Sequence, residues 1–199
     1  MKLTEKKRLQ ILDTAEKMFY EVGVEHTTMD QLAAQAGVSK RTVYNHFENK
    51  DALFAAIIER MLSSLSSADP VLYHSNQPLE AQLTKIAENE VQLLTSPEFL
   101  RVAKIGFMQL LKDSDLAKHL TQIKIGCLGY LADFLTAACD DGRLVIEDCD
   151  FASKQFVYQL KSFVFYPLLY GFETVTSAQK KQVIEETVQL VLSRYKPTE

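Results

Sequence analysis

A short polar segment contains the side chains of this sequence that are best suited to contact another molecule. Residues 39–47, SKRTVYNHF, would form about two helical turns, with Val43 and Phe47 as their apolar residues. The others are polar: Ser39, Lys40, Arg41, Thr42, Tyr44, Asn45 and His46. Such donors and acceptors contact base edges in a DNA major groove, and tyrosine and histidine also reach phosphates. A solvated face of an ordinary surface helix has a similar composition, so the segment alone leaves both interpretations open.

Signals for helix ends predict how this segment is held. Thr28 followed by Gln31 is typical of a capping box at the start of a helix, and Gly37 is placed to end that helix. Ser39 is a suitable N-cap for the next helix, and two short helices joined by a glycine-containing turn indicate a helix-turn-helix. A preceding helix, which Gly23 ends, completes the group. Its apolar residues recur at helical spacing: Ile11, Ala15, Met18, Phe19 and Val22.

Composition and charge limit the class of protein. The chain has 199 residues, of which 47% are hydrophobic, so it can bury a substantial core. The formal net charge is −4, and residues 1–50 hold eight Lys and Arg against seven Asp and Glu. Contact with nucleic acid must therefore come from a few placed residues rather than from bulk charge. A charged first segment and the lack of a long apolar run predict a soluble cytoplasmic protein with no membrane partner.

Residues that could support catalysis or hold a metal are scattered. The sequence has no nucleophile motif, metal-ligand spacing or phosphate-binding glycine loop. The four histidines are far apart along the chain: His26, His46, His74 and His119. An acidic cluster lacks the spacing of a calcium loop and is interpreted as a solvated connection: Asp140, Asp141, Glu147, Asp148 and Asp150. We therefore predict a protein that is not an enzyme and needs no cofactor or metal.

The three cysteines are expected to be structural. Without CxxC spacing they do not indicate a disulfide framework or a zinc site. Cys127 and Cys139 fall on one predicted helix, too far apart to pair, and Cys149 lies in the acidic connection, where a thiolate is disfavoured.

Beyond residue 50 the apolar periodicity predicts longer helices, which gives an all-α protein of roughly nine helices. A fourth helix, from Asn49 to about Ser66, is apolar enough that we expect it to pack on both halves of the protein. The segment 66–78 is predicted to be a linker. Later helices are predicted at 79–94, from Pro97 with Ser96 as its cap, at 114–140, at 150–170 and at 177–195, with a connection at 143–150.

Residues 27–54, TTMDQLAAQAGVSKRTVYNHFENKDALF, resemble the N-terminal signature of the TetR/AcrR family of bacterial transcriptional regulators. The similarity covers nearly all of residues 5–54. It implies a helix-turn-helix DNA-binding domain at 5–50 and a regulatory domain for ligand binding and dimerisation at 51–199. It also implies that Thr28 and Lys50 bind phosphates, while Arg41 stands where the family often has a small residue and could contact a guanine. The C-terminal part is similar to AefR-like or AcrR-like members.

The resemblance implies an effector site among the helices of the larger domain. The residues that could line it are Phe99, Phe107, Met108, Leu111, Tyr130, Phe134, Gln159, Phe163 and Tyr166. Most are apolar, and Tyr130, Gln159 and Tyr166 add a few hydrogen-bonding groups, so we expect a largely apolar small molecule. Ordinary core packing is the alternative for each of them.

The last predicted helix is apolar on two sides, which indicates burial on two sides. At a chain end the second contact is most simply a partner subunit, and the resemblance also implies a two-fold interface of four helices. The residues assigned to this interface are Phe156, Leu160, Val183, Ile184, Thr187, Val188, Val191 and Tyr195. The alternative is a helix that lies wholly inside the monomer.

Together these features predict a ligand-responsive regulator, most simply a repressor, that binds a palindromic double-stranded DNA operator as a homodimer. A largely apolar effector would release it by moving the fourth helix and with it the recognition helices. The alternative is a helical ligand- or partner-binding protein that no longer binds DNA.

Overall fold

The computed structural model describes residues 3–65, 70–110 and 126–197, and for residues 61–65, 102 and 108–110 it describes the backbone alone. Every regular element in these ranges is helical, which confirms the predicted all-α class. The helices are α1 (Leu3–Val22), α2 (Met29–Gln35), α3 (Lys40–His46), α4 (Lys50–Leu65), α5 (Leu79–Leu94), α6 (Pro97–Leu110), α7 (Leu131–Asp140), α8 (Cys149–Leu160), α9 (Tyr166–Tyr170) and α10 (Ser177–Tyr195).

Two compact units make up the described chain. One holds residues 3–64 and 101–110, and the other holds residues 65, 70–100 and 126–197. A 3-10 helix (Gly126–Gly129) precedes α7, and a π-helical turn (Lys161–Phe165) connects α8 directly to α9. Because α8, the turn and α9 form one uninterrupted run, the described ranges contain nine separate α-helical segments, as predicted.

The first unit is built on the apolar face of α1. Ile11, Leu12 and Ala15 are fully buried, and the ring of Phe19 lies 6.5 Å from that of Phe54 in α4. Gly23 ends α1 with a φ of 88°, a left-handed conformation that glycine adopts without a Cβ clash. The predicted first helix and its end are therefore confirmed.

An ion-pair cluster joins three helices of this unit. Arg60 of α4 lies 2.5 Å from both Asp13 and Glu16 of α1, and Arg101 of α6 lies 3.8 Å from Glu16. The side chain of Glu16 is only 19% exposed, so its interactions are screened less than those of a surface pair. The cluster holds α4 on the helix that also supports α2 and α3.

The second unit is organised around α5, which contacts α8, α10, the π-helical turn and the 3-10 helix. The segment 70–78 before α5 is held by side chains. Gln82 accepts a hydrogen bond from the backbone N–H of His74 at 2.8 Å and donates one to its carbonyl oxygen at 2.9 Å. The described part of the predicted linker is thus an ordered connection, and residues 66–69 lie outside the described residues.

The helix predicted at 114–140 is confirmed at Leu131–Asp140 but is wrong at 126–130. Residues 126–129 form a 3-10 helix, and α7 begins only at Leu131. The physical reason is a close approach of Gly126 to Glu90 of α5. Gly126 has a φ of 65°, and a Cβ on it would lie 2.3 Å from a carboxylate oxygen of Glu90. A regular helix does not fit this contact, and residues 114–125 lie outside the described residues.

The last helices agree more closely with expectation. The helix predicted at 150–170 begins at Cys149, with Asp148 as its N-cap, and contains the unpredicted π-helical turn. Such a turn inserts an extra residue into the helical repeat, which the apolar periodicity did not reveal. Helix α10 has the predicted bounds, and it packs against both α5 and α8 of the same protomer.

Candidate functional site

The polar segment identified in the sequence forms α3, and its two faces are clearly separated. Val43 and Phe47 are buried, and Val38 before the helix is half-buried. The exposed residues are Lys40, Arg41, Tyr44 and Asn45. Positions i, i+1, i+4 and i+5 lie on one side of a helix, so these four side chains share a surface, which we call the α3 polar face.

The turn between α2 and α3 fixes the orientation of this face. Gly37 has a φ of 62°, which allows the N–H of Val38 to donate to the carbonyl oxygen of Ala33 at 3.0 Å. The side chain of Gln10 in α1 donates to the carbonyl oxygen of Ala36 at 2.7 Å. Both bonds satisfy groups at the end of α2, so the helix-turn-helix is tied to α1.

Both predicted caps are present. The hydroxyl of Thr28 accepts from the N–H of Gln31 at 3.2 Å, and the side chain of Gln31 accepts from the N–H of Thr28 at 3.0 Å. The hydroxyl of Ser39 accepts from the N–H of Thr42 at 3.1 Å and pairs with its hydroxyl at 2.8 Å. Ser39 and Thr42 therefore use their side chains to begin α3.

The two lysines near this face, Lys40 and Lys50, make different contacts within the protein. Lys40 forms an ion pair with Asp30 of α2, and Lys50 donates to the carbonyl oxygen of Glu25 at 3.2 Å. Lys50 follows Asn49, whose side chain accepts from the N–H of Ala52 and so caps α4. These lysines contact the protein itself before any other molecule binds.

Three side chains remain available to a second molecule. Arg41, Tyr44 and Asn45 make no side-chain hydrogen bond, ion pair or ring contact with the described residues. His46 is half-buried, with its ring 6.3 Å from that of Phe47. Of the predicted DNA-contacting set, Lys40, Arg41, Tyr44 and Asn45 share the α3 polar face. Thr28, Ser39 and Thr42 are engaged in helix caps, and Lys50 contacts Glu25.

A buried carboxylate lies in the second unit. Glu90 is 2% exposed, and its carboxylate accepts from the backbone N–H of Cys127 at 2.8 Å. Burial raises the pKa of Glu90, and the bond from Cys127 and the charge of Lys161 act in the opposite direction. Burial also raises the pKa of the nearby Tyr130 to about 12. This carboxylate lies against irregular backbone, because Cys127 belongs to the 3-10 helix.

Models of known protein families match both parts of the chain. A model for bacterial regulatory proteins of the tetR family matches residues 11–57, and a model for the C-terminal domain of AefR-like transcriptional repressors matches residues 81–197. A TetR family transcriptional regulator from Pseudomonas syringae pv. tomato str. DC3000 has a similar structure, with a TM-score of 0.84 and 31% identity. The similarity covers 98% of this chain and 100% of that one. The chain belongs to the TetR family of transcriptional regulators.

Two further relatives of this TetR-family chain are similar over nearly their whole lengths. The HTH-type transcriptional regulator YhgD of Bacillus subtilis strain 168 is 28% identical over 90% of this chain and 91% of its own. The structure of the flavonoid-responsive regulator FrrA has a TM-score of 0.81 and 26% identity, covering 98% of this chain and 100% of that one. These relatives are regulators rather than enzymes. No helix within the described ranges is long and apolar enough to cross a membrane.

The predicted effector residues do not gather in one described cavity. Phe99 packs 5.3 Å from Phe165, Phe134 packs 5.5 Å from Tyr73, and Tyr166 stacks 6.0 Å from Tyr170. Gln159 lines a groove of about 250 Å³ between α8 and α10. Phe163 is 58% exposed, so it lies on the surface of the protomer rather than inside it. Phe107 and Tyr130 are half-buried. The side chain of Met108 and the whole of Leu111 lie outside the described residues.

The predicted dimer residues need correction. Five of them are buried within their own protomer and have little surface left for a partner: Phe156, Leu160, Thr187, Val188 and Val191. The reason is that α10 already packs on α5 and α8. Val183 and Ile184 are half-buried, as is Tyr195, whose hydroxyl donates to Gln155 at 3.1 Å.

Other residues of α8 and α10 carry the exposed apolar surface. Phe151 is 56% exposed, Tyr158 51% and Leu190 53%. We call them the α8–α10 apolar face. Neither these residues nor Glu90 was predicted from the sequence. A signal for Glu90 was available, because it continues the helical spacing of buried residues in α5: Leu79, Leu83, Ile86 and Leu94.

Proposed function

We propose that this TetR-family chain is a homodimeric repressor that binds a palindromic operator and is released by a small molecule. The observation that supports the proposal most directly is the α3 polar face. There Arg41, Tyr44 and Asn45 stand over a buried apolar face and have no partner among the described residues. A short helix that is capped, that belongs to a motif hydrogen-bonded to α1 and whose exposed face is polar suits the DNA major groove. We assign DNA binding to residues 5–50, and effector binding and dimerisation to residues 51–199.

The residues of this surface are proposed to make different contacts. The guanidinium of Arg41 suits two hydrogen bonds to a guanine, and the amide of Asn45 suits an adenine. Tyr44, Lys50 and Thr28 are assigned to phosphates, which set the position of the helix without selecting a sequence. Lys40 must first leave Asp30, at small cost because an exposed ion pair contributes little. Ser39, Thr42 and His46 are proposed mainly to hold α3 in place.

The operator-binding proposal is tested by selecting duplexes from a randomised DNA library with the purified protein. The selected sequence is expected to be palindromic, because a two-fold dimer presents two equal helices. Its affinity, measured by fluorescence anisotropy at several salt concentrations, should exceed that for random duplex by roughly 10³-fold or more. Enrichment of no sequence would contradict operator recognition. Lack of any DNA binding would favour the second candidate, a helical ligand- or partner-binding protein.

Dimerisation is proposed to use the α8–α10 apolar face. Phe151, Tyr158 and Leu190 are large apolar or aromatic side chains exposed on two packed helices of one unit. Exposed apolar patches mark interaction sites, and a two-fold axis would bring the same patch of a second copy against this one.

The effector is proposed to be a largely apolar aromatic molecule that binds the second unit. The aromatic residues around Phe165 and Tyr166 supply apolar contacts, and the relative FrrA is described as flavonoid-responsive. A compound that releases the operator must prefer one conformation of the dimer, and the resulting coupling is reciprocal.

Reciprocity makes the effector proposal quantitative. A panel of flavonoids and other apolar aromatic compounds is first screened for binding by thermal shift. Each compound that binds is expected to weaken operator affinity by about 5–150-fold, and saturating operator should weaken its binding by the same factor. Titration calorimetry with and without operator measures both. Compounds that bind the protein but leave operator affinity unchanged would contradict an effector role.

A further inference from the structure

An arginine of α1 lies beside the end of α3. The guanidinium of Arg8 stands over the ring of Phe47, with 5.3 Å between the guanidinium carbon and the ring centroid. Phe47 is the buried C-cap of α3. Arg8 itself is exposed, and it makes no hydrogen bond or ion pair with the described residues. Its positive charge is therefore not neutralised by the part of the protein that the structure describes.

The periodicity of α1 explains why Arg8 reaches this position. Arg8 precedes the fully buried Ile11 and Leu12 by three and four residues. Residues at this spacing lie on the same side of a helix, so Arg8 extends the buried face of α1 by one turn. The side chain of Gln10, which bonds to the end of α2 at 2.7 Å, holds this part of α1 against the helix-turn-helix. The stem of an arginine can cover an aromatic ring while its charged end stays in water.

The place of Phe47 in the chain connects Arg8 with the proposed DNA surface. Phe47 follows Tyr44 by three residues and precedes Lys50 by three, and both of these residues are assigned to phosphates. The ring that carries the guanidinium of Arg8 therefore lies between two proposed contacts to the DNA backbone. A guanidinium is planar and can donate two parallel hydrogen bonds to phosphate oxygens.

We propose that Arg8 is a further DNA-binding residue, which contacts a backbone phosphate and extends the DNA surface of the helix-turn-helix onto α1. This inference rests on the proposed operator binding and adds a residue to the contacts assigned there. Because Phe47 holds the guanidinium in position before DNA binds, less side-chain freedom is lost in the complex. A phosphate contact carries no sequence information, so Arg8 supports binding to operator and to random DNA alike.

Arg8→Met tests this contact in the full-length protein, because methionine keeps an apolar side chain over Phe47 and removes the charge. Affinities for the selected operator and for random duplex are measured by fluorescence anisotropy between about 50 and 200 mM salt. Loss of one phosphate contact should reduce the slope of log affinity against log salt by about 0.9 per protomer on both DNAs. Across this salt range the variant dimer should then lose roughly 10-fold less affinity than the wild type. Arg8→Lys, which keeps the charge, should keep the wild-type slope.

Lys17→Met is the matched control on the same helix. Lys17 lies nine residues further along α1, about 13 Å along the helix axis, and forms an ion pair with Glu21 at 3.9 Å. The substitution removes the same charge from the protein, but it should leave both affinities and both salt slopes unchanged. Thermal melting followed by circular dichroism should show that all three variants fold like the wild type.

Three results would overturn the proposal. A wild-type salt slope for Arg8→Met, in a protein that still binds the operator, would mean that the guanidinium only covers Phe47, and operator binding itself would stand. An equal change of slope in Lys17→Met would assign the effect to the net charge of the protein rather than to a contact. Wild-type protein that binds neither DNA would contradict operator binding, and this inference with it.

Discussion

Leu190→Asp is expected to convert the protein from a dimer into a folded monomer. Leu190 is 53% exposed on α10, so the new carboxylate would remain in contact with water in the free protomer. In a two-fold interface the new charge would be buried next to its symmetry copy, where desolvation and repulsion both oppose association. Operator affinity should fall by roughly 10²–10⁴-fold, since a dimer gains that range from linking two sites. Analytical ultracentrifugation and fluorescence anisotropy measure the two effects.

Matched variants show whether the loss belongs to the α8–α10 apolar face. Leu72→Asp changes another leucine, 66% exposed and outside both helices, and it should leave the dimer and operator binding intact. Val188→Asp is not informative, because Val188 is 1% exposed and a charge there would disrupt the core of the protomer. A dimeric Leu190→Asp protein, or equal losses in Leu72→Asp, would exclude this face as the interface.

The residues assigned to the dimer interface show what apolar periodicity cannot predict. The pattern of α10 correctly indicated a helix that is buried on two sides. It did not indicate that α5 supplies the second contact within the same protomer, because periodicity reports which faces are apolar and not which element covers them. Val188 and Val191 were therefore assigned to a partner, while the exposed Leu190 between them was passed over.

Local signals were more reliable than tertiary ones. The capping box at Thr28, the left-handed Gly37 and the cap at Ser39 depend on neighbouring residues only, and the structure has all three. The polar set on α3 could be predicted for the same reason. The 3-10 helix at Gly126 depends instead on the approach of Glu90 from α5. The spacing of residues along the sequence does not reveal such a contact.

Arg41→Ala is expected to weaken operator binding by about 1–3 kcal/mol at each half-site and to relax sequence preference at one base position there. The guanidinium is exposed on the α3 polar face and has no partner among the described residues, so no contact within the free protein is lost. In a dimer the change occurs in both recognition helices, and losses at separated half-sites add. Anisotropy titrations against the selected operator, against single-base variants and against random duplex measure the affinity and its sequence dependence.

Lys50→Ala is the comparison that separates selecting a base from holding a phosphate. Its ammonium already bonds the carbonyl oxygen of Glu25, close to the start of α2, where a phosphate would meet the free N–H groups of the helix. Loss of a phosphate contact should weaken operator and random DNA alike and reduce the salt slope by about one per protomer. Arg41→Ala should instead change the ratio of the two affinities. Equal losses on operator and random DNA for Arg41→Ala would assign its guanidinium to the phosphate backbone rather than to a base.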